Sequence, residues 1–290
     1  MDFRPLTMAE KPLVDAAFAK HQPEISELTF TNLSCWRSKR QALLAEYEDG
    51  LVFLAREGER SYLLPPTCHC DATAAVRTVF DYAGGAGIAP CVERVPEAMA
   101  EELARAGFKV EEDRANWDYV YRVSDLALLE GRHYDGKRSF VRQALASHQC
   151  EYRRMTAENV SDCLALETSW CNLRHCEQDP GLEAEQRTIT SCFGNWAELL
   201  LIGGAVLVEG KIQAFAIGER LNPTAAVVHF EKANPEMRGM YQLINQWFCQ
   251  NELSEFVHVN REQDLGIEGL RKAKESYDPH HIVRKFTVRP

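Results

Sequence analysis

The sequence predicts an α/β protein in which one mixed sheet, with helices on both faces, is built twice. Three observations predict it. The chain has 290 residues, enough at roughly 100–200 residues per domain for two domains that each bury a core. Apolar residues make up 45% and charged residues 26%, the balance of a globular chain rather than a fibrous or disordered one. The same order of strand-like runs and helical periods is legible in each half.

The second half is the cleaner. Residues 150–156 (CEYRRMT) form a short strand, and Thr156 caps a helix running to about Leu173 with Asn159 in its first turn. Asp179-Pro180-Gly181 breaks the chain before a second helix over 182–196. Two apolar runs, 201–208 and 211–221, meet at Glu209-Gly210, a hairpin signal. Asn222-Pro223 turns into a strand over 225–233. The period then changes, with Met240, Leu243, Ile244, Trp247 and Phe248 at helical spacing. Residues 256–260 form a strand and 267–277 a helix ended by Asp278-Pro279, and 281–288 alternate as a last strand.

The first half repeats this order. A short strand at 3–7 precedes helices at 8–20 and 31–39. Strands at 41–47, 51–56 and 61–64 turn at Glu48-Asp49-Gly50 and Glu57-Gly58-Glu59. A helix over 71–82 ends at Gly84-Gly85, a strand covers 89–94, and a helix over 96–106 stops at Gly107. Residues 108–112 and 117–123 close the unit. The order β-α-α-β-β-β-α-β-α-β is that of the GNAT (acyl-CoA N-acyltransferase-like) fold. The expected organisation is a GNAT-like domain at 1–123, a bridging basic helical segment at 124–149 and a second GNAT-like domain at 150–290.

Charge limits the partners. Net charge is −10. Residues 1–149 hold 18 Lys and Arg against 23 Asp and Glu, and residues 150–290 hold 15 against 20, so each half is −5. Such a chain is a poor general nucleic-acid binder, although Arg132, His133, Lys137, Arg138 and Arg142 form a local basic cluster. The opening residues carry no apolar core of signal-peptide length, and no run of about 18 apolar residues occurs, so no membrane-spanning helix is expected and the expected compartment is the cytoplasm. In that compartment the ten cysteines are expected as reduced thiols. Cys68 and Cys70 around His69, and Cys171 and Cys176 beside His175, lack the paired spacing of a zinc site, so no metal is expected.

A GNAT enzyme using acetyl-CoA needs a glycine-rich pyrophosphate cradle after its fourth strand, where backbone N–H groups at a helix start meet the phosphates. The matching segment here, Asn234-Pro235-Glu236-Met237-Arg238-Gly239-Met240-Tyr241, has one glycine and an acidic residue. A CoA cofactor is therefore disfavoured, and no other cofactor is indicated: no Walker loop, Gly-x-Ser-x-Gly elbow or His-Glu-x-x-His motif is present. One polar cluster stands out. Asn260-Arg261-Glu262-Gln263-Asp264 directly follows a strand, where open α/β sheets keep ligand sites. Lys274 lies at the edge of the inward face of the next helix. The strand at 225–233 ends in Glu231-Lys232, and its alternation sends one of these charges inward. His229 on the same strand reads as a core histidine.

Four blocks, FTNLSCWR (30–37), DYVYRVSDLALLEGRHYDGKRSFV (118–141), FEKANPEMRGMYQLIN (230–245) and NREQDLGIEGLRKAKESYDP (260–279), resemble a widespread bacterial family described by its phosphatidylglycerol lysyltransferase C-terminal-like domain. The resemblance covers nearly the whole chain and implies the tandem GNAT fold. It also implies transfer of an aminoacyl group, with aminoacyl-tRNA as donor and a small molecule or lipid headgroup as acceptor. The lysine-rich run of the family's last helix is matched at Lys274, with Ser276 in place of its second lysine, and Lys232 matches the basic residue ending its fourth strand. An attack on an ester needs a proton acceptor and a group that stabilises the oxyanion. The candidate catalytic residues are Glu231, Glu262, Asp264 and Lys274; the candidate substrate-binding residues are Lys232, Asn245, Asn260 and Arg261. Two other readings compete: a CoA-dependent N-acetyltransferase with a degenerate cradle, and a non-catalytic binding module that kept the fold.

Overall fold

A computed structural model describes residues 1–290. The fold is a mixed α/β fold with two mixed sheets of seven strands each. The chain divides into two compact units. One comprises Met1–Asp118, Gln263–Arg271 and Ile282–Pro290, the other Tyr119–Glu262 and Lys272–His281.

In the first unit, β1 (Arg4–Pro5), β2 (Gln41–Tyr47), β3 (Gly50–Glu57) and β4 (Arg60–Leu63) form an antiparallel run. Helices α1 (Lys11–His21) and α2 (Phe30–Cys35) fill the β1–β2 connection. Helix α3 (Ala72–Gly85) starts where the Asp71 carboxylate accepts from the Ala74 N–H at 2.7 Å, and leads to β5 (Val92–Pro96). Helix α4 (Glu97–Arg105) and β6 (Lys109–Glu112) follow. Val76, Val79, Phe80 and Ala83 of α3 lie at helical spacing on one face. They pack with Ala100 and Leu103 of α4 over Leu43, Val52, Leu54, Leu63, Val92 and Val95 of the sheet. Each of the valine, leucine and phenylalanine side chains among them contributes about 1.5–3 kcal/mol by leaving water.

The second unit opens with β7 (Asp118–Arg122), α5 (Val123–Leu128) and α6 (Asp135–Ser147). Then come β8 (Cys150–Arg154), α7 (Cys163–Arg174), α8 (Pro180–Gly194) and α9 (Trp196–Leu199). Helix α7 begins later than the sequence suggests. Asn159 accepts from the Thr156 N–H at 2.8 Å and closes a turn there, and a 3-10 turn intervenes before the helix. Strands β9 (Ile202–Val208), β10 (Lys211–Asn222) and β11 (Ala225–Ala233), helix α10 (Met240–Asn251) and strand β12 (His258–Asn260) complete the run. At the β9–β10 hairpin both Glu209 and Gly210 have positive φ, 52° and 76°, the backbone that a two-residue hairpin turn requires.

The chain ends with α11 (Glu268–Glu275), β13 (His281–Val283) and β14 (Lys285–Arg289). The last strand therefore differs from its expectation. It breaks at Arg284, and β14 pairs antiparallel with both β5 and β6 of the first sheet. Val288 is fully buried in the core of that unit, with Phe286 packed against it. Conversely β7, expected to close the first unit, pairs with β12. Alternation in sequence fixes which face of a strand is apolar, not which sheet receives it. The resulting orders match strand for strand: β1-β2-β3-β4-β5-β14-β6 in one sheet and β8-β9-β10-β11-β12-β7-β13 in the other.

The cysteines also differ. Cys68 is bonded to Cys70 and Cys171 to Cys176, their Cα atoms 5.3 and 5.0 Å apart, while six cysteines are free thiols. Turns at both places bring the Cα pairs into the disulfide range, which the compartment argument from sequence did not consider. No helix is long and apolar enough to cross a membrane.

Candidate active site

Each sheet contains a short parallel pair, β4 with β5 in the first and β11 with β12 in the second. Strands β11 and β12 pair only at Ala225–His258, Ala226–Val259 and Val227–Asn260. Beyond that point the far half of β11 and the residues after Asn260 no longer pair with each other, and side chains span the opening. Glu231 faces Arg261: Nε and Nη2 donate to Oε2 at 3.0 and 2.5 Å. His229 faces Glu262, with Nδ1 2.8 Å from Oε1, and its Nε2 lies 2.9 Å from Glu219 Oε1 on β10. The opening thus holds three carboxylates, Glu219, Glu231 and Glu262, against His229, Arg261 and the nearby Lys274.

Local backbone fixes these positions. Glu262 has a left-handed conformation, φ 57°, uncommon for a residue with a Cβ. The buried Asn260 holds it there, its Oδ1 accepting from the Glu262 N–H at 2.8 Å. The Lys274 ammonium donates to the Arg261 carbonyl, and Tyr121 Oη donates to the Lys274 carbonyl at 2.8 Å. The Arg261 guanidinium rests over Tyr277 at 4.8 Å and Tyr121 at 5.6 Å from the ring centroids. On α10, Asn245 Nδ2 donates to Glu231 Oε1 at 3.1 Å. Two polar atoms are left over here: Arg261 Nη1, a donor, and Asn245 Oδ1, an acceptor, are both buried without a partner. Buried groups of this kind are normally satisfied, so each such exception calls for a reason.

The electrostatics favour a charged site. Burial pulls the His229 imidazole down, but the hydrogen bonds and charges of Glu219 and Glu262 outweigh it and raise it to about 10. With a carboxylate on each ring nitrogen, His229 is an imidazolium donating twice. Burial likewise works against the Arg261 charge, and Glu231 overcomes it, so this guanidinium is held above its ordinary range. Burial raises the Tyr121 and Tyr277 phenols, which stay protonated.

The structure brings together Glu231, Asn245, Asn260, Arg261, Glu262 and Lys274. Lys232 and Asp264 are not among them. Lys232 follows Glu231 on β11 and so points to the opposite face of the sheet. There its ammonium donates to Glu185 at 2.6 Å and lies 3.4 Å above the Trp170 ring. Both charges at the end of β11 are therefore turned inward, one to each face, where the alternation had called for one. Asp264 belongs to the first unit and is 0% exposed. Arg114, Arg271 and the Gly266 N–H bind its two oxygens. A carboxylate so engaged is a poor proton acceptor. His229, read from sequence as a core residue, and Glu219, Tyr121 and Tyr277, not singled out there, belong to the site. The one available signal was that His229 and Glu231 share a face of β11.

The CoA cradle can be tested on Gly239, which precedes α10 with φ 90°. A Cβ at Gly239 would lie 2.2 Å from the Phe140 carbonyl oxygen of α6. The bare Cα thus admits the backbone of a neighbouring helix. That carbonyl turns the negative end of a peptide dipole toward the helix start, an unfavourable neighbour for a pyrophosphate.

The family model described as phosphatidylglycerol lysyltransferase, C-terminal, matches residues 18–289. A conserved protein of unknown function from Bacteroides thetaiotaomicron is 34% identical, with 99% of each chain covered and a TM-score of 0.94. The C-terminal domain of a protein assigned as a lysylphosphatidylglycerol synthetase in Agrobacterium fabrum is 14% identical, with 97% of this chain and 92% of that one covered and a TM-score of 0.65. A tandem GNAT protein from the clavulanic acid biosynthesis pathway is 11% identical, with 99% and 97% covered and a TM-score of 0.51. At these last two identities the likeness is one of fold. No curated protein matches the sequence.

Proposed function

The chain belongs to the phosphatidylglycerol lysyltransferase C-terminal family, and we propose that it is a transferase moving an aminoacyl or related acyl group from an activated ester to an amine or hydroxyl. In this reading the two halves, 1–123 and 150–290 joined by 124–149, are GNAT-like copies that exchange their sixth strands, consistent with the matching strand orders. The reaction belongs to the opening in the second unit. Aminoacyl-tRNA is the donor that the family resemblance of the sequence implies, and a small molecule or lipid headgroup the acceptor.

One observation carries this reading: an unpartnered donor, Arg261 Nη1, and an unpartnered acceptor, Asn245 Oδ1, sit on either side of Glu231. An aminoacyl ester presents the complementary pair, a carbonyl oxygen that accepts and an amine that donates. Arg261 Nη1 then binds the carbonyl oxygen and stabilises the oxyanion that forms on attack. Asn245 orients the amine. Glu262 is the most open of the three carboxylates, its side chain 17% exposed against 13% for Glu231 and 10% for Glu219. It accepts the proton of the attacking group, with His229 holding it in place. Lys274 positions Arg261 through its carbonyl.

The test is thermal stability with a panel of free amino acids, a non-hydrolysable aminoacyl-adenosine, CoA and anionic headgroups, since a ligand of the native state raises the melting temperature. Stabilisation by an amino acid or its ester analogue and none by CoA is expected, and it should disappear in Arg261→Lys. Stabilisation by CoA alone would reject the reading, as would unchanged transfer in all of Arg261→Ala, Glu262→Ala and Lys274→Ala.

A further inference from the structure

The second unit also carries a cluster with no place in this chemistry. His258 stands on β12, and His280 and His281 lie at the start of β13; in the sheet both strands flank β7. The side-chain ligand atoms of all three lie within 4.8 Å of one another. The His258 and His280 rings stack at 5.1 Å, and His281 meets them edge-on at 5.6 and 5.3 Å. We propose that His258, His280 and His281 form a binding site for a divalent transition-metal ion of the zinc class, coordinated by three imidazole nitrogens with its fourth position open to water.

The donor set and its surroundings support this. Four histidines elsewhere in the chain face an acid: His69 faces Asp49, His133 faces Asp278, His175 faces Glu177, and His229 faces two glutamates. The three clustered rings have no hydrogen bond or ion pair, so nothing in the protein competes for their nitrogens. A zinc ion with Zn–N bonds of about 2.0–2.1 Å needs tetrahedral nitrogens about 3.4 Å apart. His280 and His281 are both exposed, which leaves their rings room to turn toward that separation. His258 is fixed by its ladder, opposite Ala225 on one side and Arg122 on the other. Three imidazoles suit zinc, copper and nickel and do not suit calcium or magnesium.

The second candidate set of the chain, His21, Asp49 and His69, is already engaged. Lys20 pairs with the Asp49 carboxylate, and that carboxylate binds the His69 N–H.

Calorimetric titration of the chelator-treated, full-length protein with zinc chloride at pH 7.5 tests the proposal. One equivalent of zinc should bind. The exposed variant His280→Ala should bind at least about tenfold more weakly, since even groups one shell beyond the metal are worth about 10–100-fold. His258→Ala should do the same, while His69→Ala and His148→Ala bind as the wild type does. Cobalt in place of zinc should give the visible absorption of a tetrahedral site, lost in His280→Ala. Absence of zinc binding overturns the proposal, and so does a site whose affinity survives both His258→Ala and His280→Ala.

Discussion

The openings beside the two parallel strand pairs share a geometry and differ in how they are filled. In the first unit β4 and β5 pair only at Leu63–Val92, and two residues on, Arg94 is left-handed at φ 63°. In the second the last pair is Val227–Asn260, and two residues on, Glu262 is left-handed at φ 57°. Arg94 enters a closed network, bonding Glu27, Glu93 and Asp113. The fully buried Lys285 joins Glu27 at 2.5 Å to Asp118 at 2.7 Å, and Asp118 in turn holds the N–H and hydroxyl of Ser26. No buried polar side-chain atom of that network lacks a partner, whereas the second opening leaves Arg261 Nη1 and Asn245 Oδ1 unsatisfied. One scaffold thus serves as a structural clasp in one place and keeps hydrogen-bonding capacity for a ligand in the other.

The largest expected effect tests the clasp. Lys285→Met should leave Glu27 and Asp118 buried without their ammonium, and removing one partner of a buried pair costs about 3–5 kcal/mol. Burial already pushes the Glu27 carboxyl above its usual range, against the pull of Lys285. Urea unfolding of the variant against wild type measures the loss. A change under about 1 kcal/mol would show that the first opening is not held by its charges.

In the second opening the larger effect should fall on turnover. Arg261→Lys keeps the charge and loses the fork that spans Glu231 and the substrate. Losing an oxyanion donor typically lowers kcat by about 10²–10³-fold. Deacylation of aminoacyl-tRNA in the presence of amine or lipid acceptors reads this directly. A variant of unchanged turnover but reduced stability would make the two openings alike.

His229 gives an intermediate effect with a defined pH window. The folded imidazole keeps its proton up to about pH 10, while an unfolded histidine releases it near pH 6.5. The bound proton therefore stabilises the fold fully below about pH 6.5, and this contribution is lost as pH rises through 10. Wild-type unfolding free energy should fall across that window, on the order of a few kcal/mol, more steeply than that of His229→Gln. Parallel slopes for the two proteins would remove the imidazolium from the site.

How much of this was legible in sequence follows from what each residue responds to. Helix α10 was readable because Met240, Leu243, Ile244 and Phe248 are local in sequence and all buried. The cluster after β12 was readable because charges at the end of a buried strand are conspicuous. The sheets that take up β7 and β14 were not, since both strands alternate normally and their partners are far away in sequence. Asp264 looked like its neighbours, yet two arginines distant or downstream, Arg114 and Arg271, decide its role. Tyr121 and Tyr277 gave no signal, because an aromatic ring in a strand or helix end is ordinarily core.

The smallest effect separates strain held for a site from strain that merely ends a helix. Gln22, at φ 48°, caps α1 in the left-handed region, its N–H bonding the Phe18 carbonyl while its side chain is exposed. A glycine there keeps that backbone bond and removes the Cβ penalty of roughly 1–2 kcal/mol, partly offset by the greater freedom of glycine in the unfolded chain. Gln22→Gly should therefore stabilise the protein by about 0.5–1 kcal/mol, as helix ends generally favour glycine at this position. Glu262→Gly relieves the same backbone strain, yet it removes a carboxylate from the His229 imidazolium. It should therefore destabilise, and it should also lower the pH at which His229 loses its proton, which an NMR titration of the ring would follow. Equal gains in stability from the two glycine substitutions would mean that the left-handed turn at Glu262 is only a chain-reversal device like the helix cap at Gln22, and that its side chain does not serve the opening.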